Sequence, residues 1–381
     1  MIKGFTIRLY PTIEQDTLMK KHIGCQRYIY NWGLALNNKL YEEKKKKYST
    51  TELGKMLTQY KKEDEVSWLN EVSNATLKEA LRNLDKAYTG FYKGRSKLPR
   101  FKSKKKSSAT FYSRYEKVKF YENGTVNLEK IGKVNYKSSY DLDLTKVSKF
   151  SNPTVTFNGR CWVLNIGIDI KPNINKLEDK VLAIDLGIKQ LAIVNIDVLD
   201  VPNINKTRVV KALEKKLKRL QKQCSRKYLL NKKGGSYFKT ESIKKLELKI
   251  KKLHRKLKNI RLNHIHQATS KLVKTNARLV VMENLKVSNM MKNRHLAKAI
   301  QQQGFYTFIN QMKYKCAFYG IEFIQAPTFY PSSKTCSCCG NIKKELKLSD
   351  RIYKCDKCGF VVDRDKNATY NLANYGLSLS N

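Results

Sequence analysis

Two Cys-x-x-Cys pairs, Cys336 with Cys339 and Cys355 with Cys358, stand fifteen residues apart near the end of the chain, and a glycine follows each. A two-residue spacing folds both sulfurs onto one tight turn. The glycine relaxes that turn, so that backbone N–H groups aim at sulfur. Two such knuckles place four thiolates tetrahedrally, with a metal–sulfur distance near ~2.3 Å for zinc. Four protein ligands leave no open position, so the spacing predicts one structural Zn²⁺ and not a catalytic one. The alternative, buried or redox cysteines, does not account for the doubled spacing. Of nine cysteines, five crowd into residues 336–358, which suits a metal site in a reducing compartment better than a disulfide framework. Cys338 lies inside the first knuckle, points away from it and is left out of the ligand set.

The rest of the chain is strongly cationic. Against 32 acidic residues it carries 77 basic ones, a formal charge of +45. An AT-rich genome can favour Lys over Arg, but it does not make acids scarce. Self-repulsion of this size implies a polyanionic partner, and nucleic acid is the usual one. No run of about twenty apolar residues is present to span a membrane. The opening "MIKGFTIRLYP" lacks the apolar stretch of a signal peptide. The expected location is therefore the cytoplasm.

Residues 2–10 alternate in a strand pattern that Pro11 ends, and Thr12 and Gln15 stand in capping-box spacing for a helix from Ile13. Helical stretches run to about Tyr92, and a basic linker with Pro99 covers 94–107. The next block is β-rich. "VKFYENGTVNL" and "TVTFNGRCWVLNI" each set Asn-Gly between apolar runs, the pattern of hairpins with type I′ turns at Asn123-Gly124 and Asn158-Gly159. These hairpins and the first strand can close a small barrel with the helices inserted.

After Pro172, "VLAIDLGIKQLAIVN" predicts two strands about a turn at Gly187. Two long basic helices follow, parted by Gly234-Gly235. In the second, Ile243, Leu246, Ile250, Leu253, Leu257 and Ile260 form a heptad seam. Then come the strand "ARLVVMEN", a helix over about 296–319, the strand "IEFIQAP" and a last helix from near Asp365. This is the element order of an RNase H-like α/β domain, with a third strand supplied by "DVLDVPNI" or "TRVV".

Asp185 ends the first strand of that domain, Glu283 ends the fourth, and Asp363 and Asp365 open the final helix. In that topology the first and fourth strands are parallel neighbours, so carboxylates at their matching ends face one another. Three acids at one point repel unless cations neutralise them, and Mg²⁺ takes oxygen ligands of this kind. Two Mg²⁺ ions about 3.5–4 Å apart activate a water and stabilise a leaving 3′ oxygen in phosphodiester cleavage. Singly, each acid reads as well as a turn residue, a strand end or an N-cap; the set in this order within so basic a chain reads as a nuclease. The cysteine ribbon then sits between the last strand and last helix, and its exit carries an acid to the site.

The motifs "RLYPTIEQ", "CQRYIYN", "PRFKSK", "IDLGIK", "LVVMENL", "YPSSKTCSCCG", "LKLSDRIYKCDKCG" and "DRDKNATYN" resemble the TnpB family of transposon-encoded proteins, relatives of the compact type V CRISPR effectors. The ribbon followed by D-R-D-x-N-A is their most specific part. The resemblance implies an RNA-guided DNA endonuclease of the prokaryotic cytoplasm or nucleoid. Such an enzyme cuts double-stranded DNA where a guide RNA from the transposon end and a short adjacent motif direct it. It implies Asp185, Glu283 and Asp365 as the RuvC triad, holding Mg²⁺. It also implies a division into a wedge strand (1–11), a helical recognition domain (12–107), the remaining wedge barrel (108–172), a RuvC-like nuclease with a basic helical hairpin (173–335), the zinc ribbon (336–358) and a RuvC-like C-terminal part (359–381). Relatives usually have a short Gly turn and an "NP" element where this chain has "NIDVLDVPNINKTRVV", so the third strand is expected to be irregular.

Aromatics interleave with cations from Tyr88 to Tyr121, a pattern in which bases stack while cations track phosphate. Lys78, Arg100, Phe101 and Lys102 are the candidate nucleic-acid contacts. Arg27, Tyr30 and Asn31 read rather as helix packing, and the Lys-rich helices at 209–262 as a surface for an A-form duplex backbone. Other readings are a compact type V CRISPR effector, an RNA-guided repressor that binds without cutting, an RNA-independent transposase or its accessory, and a basic zinc-ribbon RNA-binding protein. The last leaves the carboxylates unexplained.

Overall fold

Strand β1 (Ile2–Tyr10) buries Phe5, Ile7 and Leu9 on one face and exposes the residues between them, as its alternation requires. It opens the first of two units, Met1–Lys171 and Pro172–Asn381, in a computed structural model that describes all residues except 44, 106, 141, 148, 173, 175, 347–349 and 381. Pro11 separates β1 from α1 (Ile13–Glu42), which starts with the expected reciprocal cap between Thr12 and Gln15. Helices α2 (Thr50–Tyr60) and α3 (Asn74–Tyr92), with a 3₁₀ segment at Asp64–Glu71, pack on α1 around Ile29, Leu34, Leu57, Leu69, Leu77 and Leu84.

Strands β2 (Thr110–Tyr112), β3 (Lys119–Phe120), β4 (Thr125–Leu128), β5 (Gly132–Lys137), β6 (Ser151–Phe157) and β7 (Trp162–Asp169) join β1 in an antiparallel sheet of order β2-β6-β7-β1-β5-β4-β3. The sheet wraps one core containing Ile7, Phe111, Phe120, Val126, Val134 and Leu164. It is a half-barrel, not the closed barrel expected. The edge strands β2 and β3 span three and two residues, and each pairs on one side only. The two predicted hairpins form, but their turns are not type I′. Gly124 and Gly159 take φ of 74° and 83°, whereas neither Asn123 nor Asn158 has positive φ. At the first, the Gly124 N–H reaches the Tyr121 carbonyl at 3.1 Å, an ordinary turn ending in a left-handed glycine. At the second, the Asn158 side chain accepts from the amides of Arg160 and Cys161.

In the C-terminal unit, β8 (Glu178–Leu186) and β9 (Gln190–Val194) form an antiparallel pair, and β10 (Val201–Pro202) supplies the third strand from the "DVLDVPNI" stretch. It is irregular, as expected, with a register shift between its two residues. "TRVV" instead caps and opens α4 (Arg208–Leu230). A two-stranded tip, β11 (Lys232–Lys233) with β12 (Ser236–Tyr237), leads into α5 (Glu241–Val273). Along the predicted seam, Ile250, Leu253, Leu257 and Ile260 pack on Val210, Leu213 and Leu217 of α4.

Strand β13 (Ala277–Glu283) lies parallel to β8 on one side and to β14 (Glu322–Ala326) on the other. Between them run α6 (Val287–Met290), α7 (Ala297–Gln303) and α8 (Phe305–Tyr319). The single helix expected over 296–319 is broken at Gly304, whose φ of 69° ends α7 before α8 begins. The small strands β15 (Ile352–Lys354) and β16 (Val361–Asp363) form the ribbon, and α9 (Arg364–Ser380) closes the chain. One face of the five-stranded sheet packs on α5, α7 and α8 through Leu182, Ile184, Val280 and Met282; the other carries Ala183, Leu279 and Val281 against Leu372 and Ala373 of α9. A side chain at Gly376 would overlap Val281, so glycine there sets how closely α9 approaches the sheet. Among the described residues no helix is long and apolar enough to cross a membrane.

Candidate active site and metal centre

Strand alternation decides where the acids point. On β8, Leu182 and Ile184 face α5 and α8, so Asp185 faces α9. On β13, Val280 and Met282 take the first direction and Glu283 the second. Ile184 and Met282 are register partners, so Asp185 and Glu283 follow at one level on adjacent parallel strands. Asp365 lies in the first turn of the helix covering that face. The Asp185 carboxyl is pushed up to about 8, first by desolvation and then by the charges of Glu283 and Asp365; Arg364 opposes them. The three acids thus lie on one face and near enough for the charges of Glu283 and Asp365 to reach Asp185, while among the described residues only the four cysteines bring their ligand atoms within 4.8 Å of one another. A set of hard oxygen donors of this kind fits a divalent cation of the Mg²⁺ type.

The supports were not evident in the sequence. The Ser332 hydroxyl donates to Glu283 Oε1 at 2.5 Å. Asp365 accepts from Arg364 at 3.0 Å, and Arg351 of the ribbon stands 3.6 Å from its other oxygen. Asp363 instead accepts from the backbone amides of Asp365 and Lys366, at 2.9 and 3.2 Å, so it caps α9 and is exposed. Lys366 ties the same turn to β9, donating to Val194 O at 2.5 Å and pairing with Asp197 and Asp200. Gln303, at the end of α7, donates to the carbonyls of Gly187 and Ile188 and fixes the turn after Asp185.

The four expected cysteines converge, their ligand atoms within 4.8 Å of one another. Cys336 Sγ lies 3.7 Å from Cys358 Sγ, and Cys339 Sγ 3.6 Å from Cys355 Sγ. A tetrahedron with ~2.3 Å metal–sulfur bonds has edges of about 3.8 Å, so the cluster fits zinc. The two knuckles share one geometry. Gly340 and Gly359 have φ of 73° and 72°, and their amides donate to the carbonyls of Cys336 and Cys355. The amides of Cys358 and Lys357 bring the Cys355 thiol down to about 6. Cys338 stays outside the cluster.

Two asparagines one helical turn apart join α9 to the first knuckle. Asn367 donates to Thr335 O at 2.6 Å and accepts from the Ser337 amide at 3.1 Å. Asn371 donates to Ser332 O at 2.7 Å and Thr335 O at 2.6 Å. Both are buried. Their i, i+4 spacing beside Ala368 and Leu372, on an otherwise apolar face, was the available signal.

The candidate nucleic-acid contacts divide. Arg100, Phe101 and Lys102 line a cavity of about 880 Å³ in the N-terminal unit, with Arg27, Tyr30 and Lys86. Lys102 is already engaged: its ammonium lies 3.6 Å from the centre of the Tyr30 ring, and Asn31 holds its backbone through two hydrogen bonds. Lys78 is exposed outside that cavity, near enough to Lys61 to help lower the Lys61 ammonium's pKa after desolvation. In the C-terminal unit a groove of about 850 Å³ is lined by Lys211, Lys215, Lys218, Lys258 and Lys298, while its Glu214 is neutralised by Arg261 at 2.6 Å.

Family models match three parts of the chain: "Helix-turn-helix domain" over residues 1–46, "Probable transposase" over 169–294 and "Cas12f1-like, TNB domain" over 305–372. The first description does not suit the fold, since those residues hold a strand and one thirty-residue helix. A protein of Streptomyces pristinaespiralis named "Putative RNA-guided DNA endonuclease" is 31% identical over 99% of this chain and 90% of its own. InsQ of Escherichia coli K12, named in the same way, is 28% identical over 97% of this chain and 91% of its own. The protein in a cryo-EM structure of a Cas12f1-sgRNA-target DNA complex shares the mixed α/β fold, with a TM-score of 0.56 at 14% identity over 98% of this chain and 99% of that one. Taken with the near-complete match to these relatives, the chain belongs to the TnpB family.

Proposed function

We propose that this protein is an RNA-guided DNA endonuclease. It cuts double-stranded DNA by Mg²⁺-dependent hydrolysis at sites chosen by a transposon-derived guide RNA and a short adjacent DNA motif. The observation that carries the reading is that Asp185, Glu283 and Asp365 share one face of the sheet, near enough for the charges of the other two to reach Asp185, in a chain of net charge +45. In this reading residues 173–335 and 359–381 form an RNase H-like RuvC domain and 336–358 its inserted zinc ribbon. Residues 1–11 and 108–172 form the wedge, and 12–107 the inserted recognition domain.

The three carboxylates hold the Mg²⁺ ions, with Asp185 and Glu283 fixed by strand register and Asp365 by the ribbon-anchored helix. When bound, such ions supply an activated water and charge neutralisation at the leaving 3′ oxygen. Ser332 orients one oxygen of Glu283 and leaves the other for a cation. Arg364 and Arg351 orient the Asp365 carboxylate. Zn²⁺ held by Cys336, Cys339, Cys355 and Cys358 is structural, since four thiolates leave no place for substrate.

The test is to purify the protein with its own flanking transposon end and sequence the RNA that copurifies. Cleavage of a plasmid library carrying the guide-matched sequence is then assayed with and without RNase and EDTA. Cutting that needs RNA, Mg²⁺ and a fixed adjacent motif is the expected result, with RNA affinity falling steeply as salt rises. Specific cutting by RNA-free protein would overturn the guided reading, and guided binding without cutting would mark a repressor.

A further inference from the structure

Phe329 is 89% exposed, more than any other Phe, Tyr or Trp among the described residues. Scattered apolar side chains on a surface are ordinary; this one differs in three respects. It sits midway along a short loop whose two ends both meet Glu283. Ala326 is the register partner of Glu283, and Ser332 donates to its carboxylate. Phe329 is three positions from each end, so its Cα lies within roughly 10 Å of groups touching the candidate active site. The loop is also rigid. Pro327 and Pro331 fix its backbone, the Tyr330 amide donates to Pro327 O at 3.0 Å, and the Tyr330 ring turns inward against Tyr375 while its hydroxyl reaches Asn371 O. Finally, Lys286, three residues beyond Glu283, places its ammonium 5.9 Å from the Phe329 ring centre. Among the described residues nothing in this unit covers the ring, and a cation stands beside it.

We infer that Phe329 is a positioning residue on which one unpaired base of the strand being cut stacks, while Lys286 pairs with that nucleotide's phosphate. An aromatic face beside a cation is the chemistry that holds single-stranded nucleic acid without reading its sequence. A base within a duplex offers no free face, so the platform selects an unwound strand. An unwound strand spans no less than the ~3.4 Å per nucleotide of a duplex, so the base lies within about three nucleotides of the scissile phosphate. This rests on the nuclease reading proposed above.

The experiment uses full-length protein with its guide RNA and targets carrying one abasic nucleotide at successive positions around the cut. With wild-type protein, an abasic site at one position near the cut should slow single-turnover cleavage by about 10-fold, the scale of one base–aromatic stack. Phe329→Ala and Phe329→Leu should show the same loss on intact DNA and no further loss at that position, with target binding and half-saturating Mg²⁺ unchanged. Phe329→Tyr should keep the wild-type rate. In an Asp185→Ala background, 2-aminopurine at that position should be quenched with Phe329 and not with Phe329→Ala. Abasic effects that add in full to the Phe329→Ala loss would overturn the inference. So would a Phe329→Ala loss accompanied by a lower melting temperature and weaker target binding, which marks a structural role. Wild-type protein that does not cut at all defeats the nuclease reading instead, and the two failures are thereby distinct.

Discussion

The side-chain nitrogen of Asn367 donates to the carbonyl oxygen of Thr335 at 2.6 Å. Asn367 lies two residues after Asp365 on α9, and Thr335 immediately precedes Cys336. One buried contact therefore links the helix carrying an acid of the candidate site to the first cysteine of the metal cluster. This is why the four-cysteine ribbon stands directly against the candidate carboxylate site: its fold sets where α9 begins.

Loss of the metal should be felt at the acid. Cys355→Ser is expected to lose zinc, measured by elemental analysis, and to reduce cleavage although no carboxylate has changed. Asn367→Ala is expected to retain zinc and still slow cleavage about 10-fold or more, because a buried hydrogen-bonded pair is worth roughly 1–3 kcal/mol when broken. Full activity in zinc-free protein would break the link.

The strand-borne acids should separate cutting from binding. Asp185→Ala and Glu283→Ala are each expected to abolish Mg²⁺-dependent cleavage of both DNA strands while guide and target affinities stay within about twofold in a gel-shift titration. Equal loss of binding in both variants would make these residues structural.

Asp363 and Asp365 divide their labour by direction. Asp365 faces Asp185 and the two arginines, whereas Asp363 caps the helix from outside. Asp365→Asn should eliminate cleavage at any Mg²⁺ concentration. Asp363→Asn keeps the cap and should leave measurable cutting, while Asp363→Ala should cost about 1 kcal/mol in stability by thermal melting. The reverse pattern would shift the assignment by two residues.

The raised Asp185 pKa gives a pH dependence with a definite sign. The unfolded carboxyl releases its proton near the ordinary 3.8, and the folded one near 8. Between those values the folded state holds the extra proton, so metal-free stability falls as pH rises through the window. In EDTA, Asp185→Asn should therefore gain melting temperature over wild type as pH goes from 5 to 8. Half-saturating Mg²⁺ should fall with rising pH up to about 8, since the ligand must be ionised. A difference between the two proteins that is flat in pH would refute this account of the cluster.

The sequence by itself determined every element whose signal is local. The alternation of Phe5, Ile7 and Leu9, the cap at Thr12 and the seam of α5 are written in spacing that the backbone period imposes. The knuckles are local in the same sense, since Cys-x-x-Cys-Gly folds one turn. The acids are legible at strand ends and at the opening of the last helix, and the family motif singles out Asp365 over Asp363. The tertiary structure alone decided what depends on residues far apart in the chain. It left the first sheet open, because β2 and β3 are too short to close it, and it broke the long helix at Gly304, a residue that spacing alone does not mark as a stop. It also recruited Ser332, Lys366, Asn367 and Asn371, whose partners lie up to 172 residues away. Hydrogen bonds of that span have no period to read. They exist only once the strands have set Asp185 beside Glu283 and α9 has packed across both.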